Sequence, residues 1–435
     1  MDKQLNNDKM QKILIQIIVS LLGIFFSYGQ QNNYEIKIGE RLKITSNILN
    51  EEREVQVYLP PTYFFSEHSN FPVIYMIDGD YNFQYVTGLV ELLSNVSGKI
   101  PECIVVGISD KGSTKYRQNC IPNVVKKRNG NATNYMGFIS NELKPFIQKK
   151  FKTSSFDIII GHSIGGLFVT NFFVEQPSVF DAFIAIDPAL WVGNFELINR
   201  SKKTLKNRKT IDASYYISSS TAKGMGTEKF VKLLKNQFPE NNHWKYYKFD
   251  NENHNSVGLP TIKQSLEHIF SDWSISENEF KSFKTVDKLL SHYKALSTKF
   301  STNVSIPSYF LGNVIYYYFR HKNTTELLAL EKGIKSDFPT SIDEFYNQLA
   351  LNYFENKDYK EAIANYEKSI ENNPLSFNAY DGIAKVYVAQ KNYKDAFIAS
   401  EKSLEIAKKC HARQWMMNQL FATLDRISAK YNEKH

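Results

Sequence analysis

Apolar residues in the first part of the chain come as short continuous runs separated by stretches of helical period. Phe71-Pro72-Val73-Ile74-Tyr75-Met76-Ile77, Cys103-Ile104-Val105-Val106-Gly107-Ile108, Asp157-Ile158-Ile159-Ile160 and Ala182-Phe183-Ile184-Ala185-Ile186 have the length and β-branched content of strands buried on both faces. Further strands are expected at Ala213–Ser218 and Trp244–Phe249. Between the runs lie helical stretches, at about Phe83–Val96, Asn134–Lys150, 228–238 and Thr261–Phe270; in the second, Phe138, Ile139, Leu143, Phe146 and Ile147 fall on one face. This alternation predicts a mostly parallel sheet covered by helices on both faces. Ahead of it, Tyr34–Ile38 and Glu54–Leu59 alternate as an antiparallel edge would, the second stopped by Pro60-Pro61.

From about Ser274 the pattern is helical only, and it repeats. Asn347-Gln348-Leu349-Ala350-Leu351-Asn352-Tyr353 is matched 34 residues later by Asp381-Gly382-Ile383-Ala384-Lys385-Val386-Tyr387; Tyr359 matches Tyr393, and Ala362 matches Ala396. The period, and the small residue that lets paired helices approach, resemble the tetratricopeptide helix pair, which implies contact with a protein partner. A degenerate pair at roughly 307–340, ending near Pro339, and a last helix at about 411–430 are expected to complete the stack. The chain thus divides into a leader (1–29), an α/β region (30–272), a helical connector (273–340) and the repeats with a capping helix (341–435).

Chemistry concentrates where one buried strand meets a helix. Gly161-His162-Ser163-Ile164-Gly165 is a G-x-S-x-G turn between Asp157–Ile160 and the apolar run Leu167-Phe168-Val169. Such a bend strains the serine backbone, lifts its hydroxyl off the sheet, and aims the Ile164 N–H and the helix N-terminus at the place where an acyl oxyanion forms. A serine hydroxyl needs a base to become a nucleophile, and an imidazole suits neutral pH. His254 follows the last expected strand and is the base of choice; His162 is expected to pack or hydrogen bond locally. The third member, an acid to orient His254, has two contenders. Glu228 is the first carboxylate after strand 213–218 and is preferred; Asp187, at the end of strand 182–186, is the alternative. Serine, acid, histidine is the chain order of α/β-hydrolases. A second oxyanion donor is expected after the first buried strand, at the N–H of Asp80, whose side chain is expected to face away or to tune a polar substrate.

Composition narrows the function classes. The 435 residues are 42% hydrophobic and 23% charged, ordinary for a globular protein with a sizeable core. A net charge of +8 is dispersed rather than gathered into a basic stripe with aromatics, which argues against a nucleic-acid partner. Lys3, Lys9 and Lys12 precede the apolar run Ile13–Phe26, and Ser27 and Gly29 suit a cut after Gly29. This reads as a secretory signal leading to a secreted or periplasmic protein, with no integral membrane segment after cleavage. Cys103, Cys120 and Cys410, an odd and sparse set, read as buried free thiols.

Taken together, Glu52-Arg53, Pro72-Val73-Ile74-Tyr75 leading to Asp78-Gly79, Val105–Ile108 with Arg117 downstream, Gly161–Gly166, Asp187-Pro188-Ala189-Leu190-Trp191 and His254-Asn255-Ser256-Val257 resemble the "putative esterase" family over about residues 40–272. That family includes esterase D, enterochelin (siderophore) esterases, feruloyl esterases and mycolyltransferases. The resemblance implies an α/β-hydrolase fold and a Ser-His-acid triad without metal or other cofactor. It also implies an oxyanion hole completed by the N–H after Asp78-Gly79, and an acid in the region of Glu228. The expected activity is hydrolysis of a carboxylic ester, either a small molecule or glycan-linked. Two alternatives stay open: acyl transfer by the same triad, and a catalytically silent platform acting through the repeats.

Overall fold

The computed structural model describes residues 36–433 apart from 124–129, 209–212, 240–242, 276–278, 281–284 and 301. The expected signal, 1–29, lies outside the described residues. Gly39–His435 form one compact unit, and Ile36–Ile38, the described part of the remaining segment, carry no regular structure.

One eight-stranded sheet organises the unit, in the order β1-β2-β4-β3-β5-β6-β7-β8. The strands are β1 (Glu40–Ser46), β2 (Glu51–Tyr58), β3 (Phe71–Met76), β4 (Ile104–Ile108), β5 (Thr153–His162), β6 (Ala182–Ile186), β7 (Ser214–Ser219) and β8 (Trp244–Lys248). β1 and β2 are antiparallel to each other, β2 is antiparallel to β4, and every pairing from β4 onward is parallel. β3 and β4 are buried at every residue, as their apolar runs require.

The edge strand expected at Tyr34–Ile38 is corrected to Glu40–Ser46. Tyr34 and Glu35 lie outside the described residues, and the described remainder, Ile36–Ile38, pairs with no strand; Leu42 instead sits opposite Val55, and Ile44 is buried, whereas Ile36 is 94% exposed. Alternation marks a strand only where a second strand lies within pairing distance.

Among the helices, α1 (Gly79–Glu91) continues into a π turn at Leu92–Val96. The helix expected over Asn134–Lys150 is α3 (Ala132–Phe138) and α4 (Lys144–Lys150), joined by a π segment at Ile139–Leu143. α5 (Ile164–Glu175), α7 (Thr227–Gln237) and α8 (Gly258–Ile269) follow their strands. Two helices have no counterpart in the sequence expectations: α2 (Ser113–Cys120), which buries only Asn119 and Cys120, and the lysine-rich α6 (Val192–Lys206), which buries Leu197, Ile198, Ser201 and Leu205 and whose first turn has positive φ at Gly193, Asn194 and Phe195.

Packing runs without a break past residue 272. One sheet face carries Tyr75, Val106 and Phe183 against Phe168, Phe172 and Phe230. The other carries Ile74, Met76, Ile158 and Ile184, and its cluster extends through Leu266 and Phe270 to Tyr293, Phe300, Phe310, Ile315 and Phe345 of the later helices. The connector contributes α9 (Val286–Lys299), α10 (Ser308–Arg320) and α11 (Thr324–Asp337). The repeats are α12 (Ile342–Glu355), α13 (Tyr359–Asn372), α14 (Phe377–Ala389) and α15 (Tyr393–Lys409), followed by α16 (Gln414–Asn432). The small residues of the repeat pattern sit at helix contacts: Ala350, Ala384 and Ala396 are fully buried.

The repeats also rest on the α/β part. Phe65 packs edge-on against Phe377 with centroids 5.1 Å apart, Asn373 Nδ2 donates to Phe65 O (2.9 Å), and Arg413 pairs with Glu91 (2.8 Å). All three cysteines are buried free thiols. Among the described residues no helix is long and apolar enough to cross a membrane.

Candidate active site

Ser163 stands between β5 and α5, with φ 56° and ψ −110°, a conformation L-residues rarely hold. Its backbone is clamped: Ser163 N donates to Ile186 O (2.9 Å), and Ser163 O accepts from Leu167 N (2.9 Å) and Ala189 N (2.8 Å). The bend needs Gly161, because a Cβ there would lie 2.4 Å from Gly165 O. Strand, strained serine and helix start follow as the glycine spacing predicts.

His254, in the loop after β8, brings Nε2 to 2.9 Å from Ser163 Oγ. Its Nδ1 lies 2.7 Å from Asp187 Oδ2. Asp187 is fully buried at the end of β6, with φ 37°, while the His254 side chain is 30% exposed. Ser220 Oγ also donates to Asp187 Oδ2 (2.5 Å), and Asp187 N donates to Ser218 Oγ (3.2 Å). The three side chains therefore form a continuous line from carboxylate through imidazole to hydroxyl. Because a carboxylate only accepts, Nδ1 carries the proton and Nε2 presents its lone pair to the serine.

The preference for Glu228 as the partner of His254 is thus corrected: Asp187 occupies that place. Glu228 is exposed, in the first turn of α7, where a carboxylate is favoured by the helix dipole. The signal was in the sequence, since the loop after β7 has no carboxylate before α7 begins. Glu228 is favoured in the sequence by its place after strand 213–218 and by the family resemblance; the His254 loop instead reaches back over β7 to the end of β6.

Ile164 opens α5 and Asp80 lies in the first turn of α1, so both N–H groups belong to helix starts, where backbone donors lack helical acceptors. β3 and β5 are neighbours, which sets the two helix starts side by side at the carboxyl end of the sheet. The Asp80 side chain is engaged by four neighbours. Its Oδ1 accepts from Gln56 Nε2 (2.9 Å), Ser109 Oγ (3.2 Å) and Arg41 NH1 (3.3 Å), and its Oδ2 from Asp110 N (2.9 Å). This carboxylate pins the first turn of α1 to β1, β2 and the loop after β4.

Beneath the elbow lies a second polar group. Gly165 N donates to Tyr116 Oη (2.8 Å), which also bonds the Asp78 carboxyl. His162 N approaches Asp78 Oδ2 at 3.4 Å. Complete burial pushes the Asp78 carboxyl up to about 7, against the pull of Tyr116 and the His162 N–H. Burial and the Asp80 charge raise Asp110 to about 6. Tyr116, on a helix without apolar period, had no sequence signal. His162 does not bond locally: its ring reaches the main chain of His254, and burial together with the His254 ring depresses its pKa. Among the described residues no cluster of His, Cys, Asp or Glu is suited to a metal ion.

Comparison with known proteins agrees with this architecture. Residues 46–247 match the family model described as "Putative esterase", and residues 341–409 match that of the tetratricopeptide repeat. Ferri-bacillibactin esterase BesA of Bacillus subtilis is 26% identical over 182 residues, 37% of this chain and 62% of that protein. The siderophore enterobactin esterase of Emericella nidulans is 32% identical over 77 residues, 17% of this chain and 25% of that protein. The chain thus spans less than two thirds of the length of these curated relatives. Among solved structures, an IroE-like serine hydrolase from Shewanella oneidensis superposes with a TM-score of 0.58 at 22% identity, covering 68% of this chain and 99% of its own. An uncharacterised protein from Capnocytophaga ochracea does so with 0.51 at 14% identity, covering 90% of this chain and 99% of its own, so the shared fold extends into the helical part. Residues 46–247 of this chain are thus similar to the putative esterase family, and residues 341–409 to tetratricopeptide repeats.

Proposed function

We propose that this protein is a secreted serine hydrolase that cleaves a carboxylic ester through an acyl-serine intermediate, and that a siderophore ester is its substrate. The observation that carries the reading is the line Asp187–His254–Ser163, with Nε2 2.9 Å from a hydroxyl held in a strained bend at a helix start. His254 Nε2 takes the Ser163 proton as Oγ attacks the ester carbonyl. The N–H groups of Ile164 and Asp80 hold the resulting oxyanion. The imidazolium, stabilised by buried Asp187, returns its proton to the departing alcohol, and water then resolves the acyl-serine by the same steps in reverse.

The siderophore substrate rests on the esterases to which this chain is similar, which act on ferri-bacillibactin and enterobactin by their names. Secretion rests on the leader-like run Ile13–Phe26, and the repeats are the surface assigned to a protein partner. Ser163→Ala is expected to abolish turnover of p-nitrophenyl acetate and of enterobactin while its melting temperature stays near that of the parent. A fluorophosphonate probe is expected to label Ser163. Unchanged turnover in Ser163→Ala, or an unlabelled serine, overturns the reading.

A further inference from the structure

One ring beside the relay takes no part in moving the proton and still spans the site. His162 is the last residue of β5, and its Nε2 lies 2.7 Å from the main-chain oxygen of His254. A carbonyl oxygen only accepts, so Nε2 carries the proton and the ring is held as that tautomer. Burial, and the facing His254 ring 4.6 Å away, keep it uncharged near neutral pH.

The loop that carries the base is otherwise tied largely to itself. Ser256 N and Val257 N donate to Asn253 O, and Asn255 N donates to Asn253 Oδ1. From across the site, Thr221 reaches the loop through Glu252 O (2.9 Å from Thr221 N), and His162 reaches it at His254 itself. Asp187 aims the imidazole from Nδ1 but leaves the backbone beneath it unheld. His162 holds that backbone, and it does so from the residue adjacent to the nucleophile.

We propose that His162 is a positioning residue: its bond to the His254 carbonyl ties the base loop to the strand end that bears Ser163, and thereby sets the distance between Ser163 Oγ and His254 Nε2. The proposal rests on the hydrolase reading above. Donor and nucleophile share one rigid strand end in the middle of the sheet, while the base hangs from a partly exposed loop beyond its far edge. Proton transfer needs hydrogen-bond contact, and an ångström of drift at such a contact lowers a rate by up to about 100-fold.

The test compares two variants of the full chain. His162→Met removes the donor at similar bulk, and His162→Gln keeps an amide N–H at about the same reach. His162→Met is expected to lower kcat for p-nitrophenyl acetate about 10- to 100-fold with KM within about two-fold. His162→Gln is expected to stay within about five-fold of the parent. An unchanged kcat in His162→Met, or equal loss in both variants, overturns the proposal. If His162→Met fails to fold, ring ¹⁵N shifts of the parent protein decide: a neutral Nε2–H tautomer at pH 7 is expected, and an Nδ1–H tautomer or a charged ring overturns it. Ser163→Ala separates the two levels. Retained turnover there removes the hydrolase reading, whereas a dead Ser163→Ala beside an unaffected His162→Met removes the positioning role alone.

Discussion

Replacing Asp187 by asparagine tests the acid of the relay at constant volume. In the parent, Asp187 Oδ2 accepts both the Ser220 hydroxyl (2.5 Å) and the His254 Nδ1–H (2.7 Å), and complete burial leaves the charge unscreened. An asparagine offers one acceptor oxygen and one NH2. Oδ1 of Asp187 is buried without a hydrogen-bond partner, so an NH2 in its place would leave both donors unmade; the NH2 takes the Oδ2 place instead, donating to Ser220 Oγ and to a bare Nδ1, and the ring proton moves to Nε2, where it points at Ser163. That tautomer cannot accept the serine proton. In a Ser-His-Asp relay the wrong tautomer lowers kcat by about 10⁴, or about 5 kcal/mol in the barrier. Asp187→Asn is therefore expected to lose about 10³- to 10⁴-fold in kcat on p-nitrophenyl acetate. Glu228→Gln, at an exposed first-turn position, is expected to stay within about two-fold. Steady-state kinetics with thermal melts on both variants makes the check. A loss beyond 100-fold in Glu228→Gln together with less than about ten-fold in Asp187→Asn would refute the assignment.

Asp78 predicts a pH dependence of stability. Below its ordinary value of 3.8 the carboxyl is protonated in both states; between 3.8 and about 7 only the unfolded chain ionises, so stability falls as pH rises through that window. Asp78→Asn, tolerated at φ 70°, is expected to match the parent near pH 4 and to exceed it above pH 7 by up to about 4 kcal/mol. Parallel melting curves across pH would count against this. Gly79→Ala drives a Cβ to 2.5 Å from Gly107 C and 2.6 Å from Ile108 N. It is expected to destabilise by about 2–4 kcal/mol in denaturant titration, and an unchanged midpoint would contradict the packing described. A chain ended at Asp272 uncovers the sheet face shared with Tyr293, Phe300 and Phe310. It is expected to aggregate or bind a hydrophobic dye, and a monomeric, cooperatively melting product would show that the face does not need its cover.

Sequence by itself determined those features whose physics is local. Continuous β-branched runs name the buried strands, since few other elements accept them, and G-x-S-x-G between a strand and an apolar helix names the elbow. A 34-residue period with small residues at fixed places names the repeats. Tertiary structure alone decided which distant groups meet. Asp187 over Glu228 follows from strand order, because the His254 loop crosses β7 to reach the end of β6. The same holds for the His162 ring on a carbonyl far along the chain, and for Tyr116 under Gly165 from a helix without apolar period. The edge strand moved to Glu40–Ser46 because alternation needs a partner to pair with, and the sheet face after residue 272 stays covered because its apolar side chains pack on whatever helices the chain folds back over it. Periodicity is written in neighbouring residues, whereas a contact across the sheet is a property of geometry that neighbouring residues do not encode.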